Sequence, residues 1–249
     1  MFSQLYIHRI TMETEPEHGS YLREIPAISH LMKDKFIELT KNITFFVGEN
    51  GSGKSTLLEA IAVNFGLNAE GGSRNIAFST NTTHSDQYKN IRLGKGLRPK
   101  DGFFLRAESF YNAASYIDEL DKAPSFGNKL IDSYGGVSLH NQSHGESFLA
   151  LVQNRFGSNG LYILDEPEAA LSPMRIMTLM VEIDRLRKAG SQFIIATHSP
   201  ILLTMPDSEI FEFSPGGISK VGYKDTEHYQ ITRNFLENPE KMLKYLLDE

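Results

Sequence analysis

Residues 48–55 read Gly48-Glu49-Asn50-Gly51-Ser52-Gly53-Lys54-Ser55, with Thr56 following, and satisfy the pattern G-x-x-x-x-G-K-S/T in full. The residue types suit one chemistry. Glycines let the backbone curl until its N–H groups point inward at phosphate oxygens. A helix starting near Lys54 adds the positive end of its dipole, Lys54 reaches the β- and γ-phosphates, and the Ser55 hydroxyl can hold Mg2+. A glycine-rich turn can match by chance, but here an apolar stretch precedes the pattern and helical spacing follows it, the setting a phosphate loop requires.

Two acids lie further along, in Tyr162-Ile163-Leu164-Asp165-Glu166. They fall at the carboxyl end of an apolar run, where a parallel sheet places its ligands. Asp165 would hold Mg2+, directly or through water, and Glu166 would polarise a water attacking the γ-phosphate. The same pair also suits a plain strand-end turn closed by Pro167; the complete phosphate loop upstream favours the chemical reading. One strand later, Phe193-Ile194-Ile195-Ala196-Thr197-His198 repeats the arrangement and puts His198 where an imidazole could touch the γ-phosphate or the water.

The elements that must position these groups can be read in outline. Leu5, Ile7 and Ile10 suggest an opening strand, and residues 37–46 a buried strand running into Gly48. Leu57, Leu58, Ile61, Ala62 and Phe65 recur at helical spacing. Residues 66–102 read as loops and short strands at an edge, 102–106 as a strand, 110–130 as helices and 146–155 as a helix. A helix over 174–188 closes at Gly190; strands at 193–196, 210–213 and 218–223 follow, the last two as a hairpin around Pro215-Gly216-Gly217, and a final helix covers about 238–248. Strands alternating with helices imply an α/β fold with a largely parallel sheet.

Composition bounds the rest. The chain has 249 residues, 40% apolar, with a net charge of −6. That balance argues against a protein that coats nucleic acid, although it leaves room for a local basic patch. Without cysteine, disulfides and thiolate metal sites are excluded, which fits a reducing cytoplasm. The first eleven residues lack the apolar core of a leader, and no run approaches the ~18 apolar residues of a membrane span, so a soluble protein without direct membrane insertion is expected.

In this order the pieces resemble an ABC-type ATPase over nearly the whole chain. The resemblance rests on residues 48–55, the acidic strand ending at Glu166, Glu168-Ala169-Ala170-Leu171-Ser172 as a D-loop, Thr197-His198 as the switch histidine, and Ser143-His144-Gly145-Glu146-Ser147 as a signature. The signature departs from the usual Ser-Gly-Gly-Gln: His144 replaces a glycine and Glu146 stands where Gln is common. Within the family the chain is similar to stand-alone AAA-family ATPases near the RecF and SMC-like groups, without the long heptad arms of the SMC type. The resemblance implies one ABC-type P-loop domain over 1–249: a mostly parallel central sheet, a flanking antiparallel β part, and a small helical subdomain at about 108–158. It implies ATP and Mg2+, and an ATP-dependent head-to-tail homodimer in which Ser143 and Gly145 bind the γ-phosphate held by the other copy. Ser143 and Glu146 equally suit a helix capping box. Glu108 could stand in for the Q-loop glutamine as a Mg2+ contact, and Tyr21 could stack on adenine or be an ordinary tyrosine.

The leading expectation is a cytoplasmic ATPase that dimerises around ATP to switch a protein or nucleic-acid partner. The ATP-binding subunit of a membrane transporter is the alternative. A GTPase is disfavoured because Asn128-Lys129 lacks an Asp two positions on, and a metal hydrolase because His140 and His144 sit in no HExxH. Lys89, Arg92, Lys95, Arg98, Lys100 and Arg106 form a basic cluster that reads as a solvated face or as a lip for nucleic-acid phosphates.

Overall fold

The structure, a computed structural model, describes residues 5–69, 72, 86–106 and 143–247. Glu108, His140, the helices expected over 110–130 and most of the expected helical subdomain lie outside the described residues. A six-stranded sheet forms the centre. In spatial order it comprises β5 (Asp101–Arg106), β6 (Gly160–Asp165), β7 (Gln192–Ala196), β3 (Ile43–Gly48), β8 (Ser208–Ser214) and β9 (Gly217–Val221). The first five run parallel and β9 pairs antiparallel with β8.

Every residue of β3, β6 and β7 is buried, which explains their unbroken apolar sequence: both faces of a parallel sheet are covered. On one face Phe46, Ile163 and Ile194 pack against α1 (Pro26–Asp34), α2 (Lys54–Phe65) and the second sheet. On the other, Phe45, Tyr162 and Phe193 pack against α3 (His144–Arg155) and α4 (Pro173–Lys188).

The second sheet is antiparallel, β2 (Phe36–Glu38) beside β1 (Ile7–Met12) beside β4 (Ile91–Lys95). Buried Gln192 ties it to the central sheet: its side-chain carbonyl accepts from the N–H groups of Tyr6 (2.9 Å) and Ile7 (3.0 Å), and its amide donates to the Ile7 carbonyl (2.7 Å).

The single strand expected over 37–46 is two. The chain leaves β2 and turns before entering β3 in the other sheet. Buried Glu209 holds that turn, accepting from the backbone N–H groups of Thr40 (2.7 Å) and Lys41 (3.0 Å) and from the Thr44 hydroxyl (3.0 Å). Burial alone would raise the Glu209 pKa, but hydrogen bonds from Lys220, Thr40 and Lys41 hold it below the ordinary range. The helix expected near 238–248 appears as α6 (Pro239–Leu247), and the hairpin of β8 and β9 is present. Helices α1 and α5 (Glu227–Glu237) were not anticipated. Among the described residues no helix is long and apolar enough to cross a membrane.

Candidate active site

The loop between β3 and α2 takes the tight path its glycines permit, with φ of +142° at Gly48, +81° at Gly51 and +98° at Gly53. Helix α1 presses on it: Ala27 N–H donates to the Ser52 carbonyl (3.0 Å), and a Cβ at Gly53 would stand 2.9 Å from that of Ala27. Beside the loop lies a cavity of about 280 Å³ lined by Ile25, Asn50, Gly51, Gly53, Lys54, Ser55, Thr56 and Glu166. Glu49, in the same loop, is exposed.

The Lys54 ammonium donates to the carbonyls of Gly48 (2.6 Å) and Glu49 (2.8 Å). Burial pulls its pKa down, against the opposing pull of Glu166 and Asp165. The Ser55 hydroxyl donates to Asp165 Oδ1 (2.9 Å), so the two groups expected to hold Mg2+ meet across the strand ends. The Ser52 hydroxyl is buried and has no hydrogen-bond partner among the described residues. Curled glycines, an ammonium resting on carbonyls and an adjoining hydroxyl–carboxylate pair fit Mg2+ and a triphosphate.

Arg106, expected in the basic cluster, faces inward instead. It donates to Asp165 Oδ2 (3.1 Å) and Glu59 Oε2 (3.1 Å). The parallel pairing of β5 and β6 sets Arg106 opposite Asp165 in register, a placement no local sequence pattern announces. Burial lifts the Asp165 pKa above the ordinary range, and Arg106 opposes that shift without cancelling it. Lys89, Arg92, Lys95, Arg98 and Lys100 are exposed, with Arg92 bonded to Glu13 (3.0 Å).

Glu166 adopts left-handed backbone (φ +51°), costly for a non-glycine residue and held by its N–H donating to the Ala196 carbonyl of β7 (3.0 Å). That twist accompanies a side chain at the cavity wall, with Oε1 3.4 Å from His198 Nε2. The His198 backbone N–H donates to the Glu168 carboxylate, whose pKa burial raises. His198 Nδ1 lies 2.8 Å from Nε2 of His228 on α5, a neighbour that sequence reasoning missed because 30 residues separate the two. Burial lowers the pKa of both imidazoles, and Lys54 adds to the shift.

Ser143 and Gly145 do not line this cavity. Ser143 caps α3; its N–H (3.0 Å) and hydroxyl (2.7 Å) donate to Glu146, and Arg175 of α4 grips both Ser143 (3.1 Å) and Glu146 (2.9 Å). A Cβ at Gly145 would stand 2.7 Å from the Arg175 guanidinium and 2.8 Å from the Ala170 carbonyl. Tyr21, in a short 3-10 turn just before cavity-lining Ile25, is 62% exposed.

The phosphate loop leaves β3 beside the histidine strand β7, with the acidic strand β6 next in the sheet, and this is the arrangement of the ABC ATPase P-loop fold. Comparison with known proteins agrees. A family model described as "AAA domain" matches residues 28–121, and one described as "AAA domain, putative AbiEii toxin, Type IV TA system" matches 132–204. The galactose/methyl galactoside import ATP-binding protein MglA of Mannheimia succiniciproducens is 24% identical over 71% of this chain and 37% of its own length. The cytochrome c biogenesis ATP-binding export protein CcmA of Legionella pneumophila is 29% identical over 65% of this chain and 82% of its own. The chain spans little more than a third of the length of the import proteins it matches. Among solved structures, an ATP-binding cassette of an ABC transporter superposes with a TM-score of 0.50 at 16% identity, covering 97% of this chain and 99% of that one. A metal-chelate type ABC transporter in an inward-facing conformation also scores 0.50, at 12% identity over 92% and 88%. These likenesses establish the fold.

Proposed function

We propose that the chain hydrolyses ATP in the cytoplasm as one half of a head-to-tail homodimer, and that the ATP cycle switches a protein or nucleic-acid partner. The observation that carries this reading is the position of Glu166, on the cavity wall beside the phosphate loop and within 3.4 Å of His198. Lys54 and the loop N–H groups hold the β- and γ-phosphates. Glu166 takes a proton from the water whose oxygen bonds to the γ-phosphorus as the bond to the ADP oxygen breaks. His198 donates toward the γ-phosphate oxygens and steadies Glu166. Ser55 and Asp165 would hold Mg2+, which when bound supplies charge neutralisation on the phosphates; in this reading Glu108 is a further ligand.

Ser143 and Gly145 stand apart from the cavity of their own chain, which supports a role at the γ-phosphate of a second copy. The exposed cations of 89–100 support nucleic acid as one class of partner.

Glu166→Gln tests the reading. It should bind ATP, lose about 100-fold or more in turnover, and elute as an ATP-dependent dimer in gel filtration. Turnover at the parental rate would refute it. The alternative, an ATP-binding subunit of a membrane transporter, is favoured by its sequence relatives, which are import and export ATP-binding proteins. Co-purification with a membrane-spanning subunit would select it.

A further inference from the structure

We infer that His228 is a positioning residue for His198: it fixes the imidazole in the tautomer that carries its proton on Nε2, the nitrogen facing Glu166. The inference deepens the proposed function and rests on its reading of His198.

The two rings approach through His198 Nδ1 and His228 Nε2 at 2.8 Å, with centroids 4.9 Å apart and planes inclined by 56°. At that distance one nitrogen donates and the other accepts, so two neutral arrangements exist. If His198 Nδ1–H donates, its Nε2 presents a lone pair to the Glu166 carboxylate 3.4 Å away, acceptor against acceptor. Among the described residues His228 Nδ1 and His198 Nε2 are both buried without a hydrogen-bond partner, so each arrangement leaves one N–H outside a hydrogen bond, and the Glu166 carboxylate beside His198 Nε2 decides between them. If His228 Nε2–H donates, His198 carries its proton on Nε2, directed at Glu166 and the space where the γ-phosphate would lie. The second arrangement removes the repulsion and supplies a donor where negative charge develops in the transition state.

The fold holds His228 in place for this. Buried Thr226 caps α5, accepting from Tyr229 N–H (3.4 Å) and donating to the Tyr223 carbonyl (2.7 Å). Glu227 N–H donates to Glu212 on β8 (2.9 Å), two strands from the histidine strand β7. His198 is anchored independently through its backbone bond to Glu168. Each ring thus has its own support, and their meeting is the link between α5 and the reacting centre.

The test compares the full chain with His198→Ala, His228→Ala, His228→Gln and the double alanine variant. The readouts are turnover at saturating MgATP, equilibrium ATP affinity by fluorescence titration, and 15N NMR of labelled histidines. His228→Ala should lower kcat about 10-fold or more and leave ATP affinity unchanged. His228→Gln, whose amide N–H can reach the same acceptor, should restore most of the loss. In the double variant the His228 change should add nothing to the His198 change. The His198 signals should report Nε2–H in the parent and a tautomer mixture in His228→Ala. The inference is overturned if the parent shows Nδ1–H, if His228→Ala keeps parental kcat, or if it slows His198→Ala further. Parental turnover in His198→Ala would instead remove the role assigned to His198, while the NMR arm still decides the tautomer.

Discussion

Replacing Arg106 with Met probes the electrostatics beneath the phosphate loop. Arg106 bridges Asp165 and Glu59, whose side chains are 4% and 11% exposed, and is itself 23% exposed. Methionine keeps much of the packing volume and deletes the charge, so Asp165 keeps the Ser55 hydroxyl and loses its counter-ion. Breaking a buried pair from one side costs about 3 kcal/mol. In a chain of this size that corresponds to a loss of about 6–12 °C in Tm. The pH dependence fixes the mechanism. Burial already holds the Asp165 pKa above its ordinary value, and Arg106 opposes the shift. Without Arg106 the folded-state pKa rises further, so the folded protein binds this proton more tightly than the unfolded chain. The ionised carboxyl therefore costs stability above the folded pKa, and the cost shrinks as pH falls through it. Thermal melts of parent and variant at pH 5 and pH 8 should show a larger gap at pH 8. A gap equal at both pH values, or absent, would refute the assignment of a charge role to Arg106.

Two further substitutions separate geometry from chemistry. Gly53→Ala combines positive φ with crowding against Ile25 and Ala27, whereas Gly51→Ala shares the positive φ in open space. ATP titration should show Gly53→Ala weaker by about 10-fold or more and Gly51→Ala closer to the parent. Gln192→Leu should strand the buried N–H groups of Tyr6 and Ile7 at about 1–3 kcal/mol each, lowering the urea midpoint. It should leave ATP affinity unchanged, because Gln192 starts the strand whose far end leads to His198.

The phosphate loop, the acidic strand and the histidine strand were legible because their chemistry is local. A continuous apolar run marks a strand buried on both faces, and the residues that follow these runs, Asp165, Glu166 and His198, meet beside the phosphate loop. Helix α1 left a signal that went unread: Pro26 opens it, and buried Ala27, Ile28 and Leu31 share one face. The join of β2 and β3 was not legible, because the turn between them is shaped by Glu209 from another strand. Arg106 looked like part of a charge run because nothing near it in sequence shows that β6 and α2 bring two acids to it. His228 had no local signal; only the packing of α5 sets it against His198.

The most direct measurement of the central claim is equilibrium titration of fluorescent ATP with Mg2+ into the parent and Lys54→Ala. Lys54 is the loop's buried cation, resting on the carbonyls of Gly48 and Glu49 beside the Ser55–Asp165 pair. If the loop grips a triphosphate, the alanine variant should bind at least about 100-fold more weakly, or not measurably, while keeping its fold by circular dichroism. Undiminished affinity in a folded Lys54→Ala protein would contradict the account.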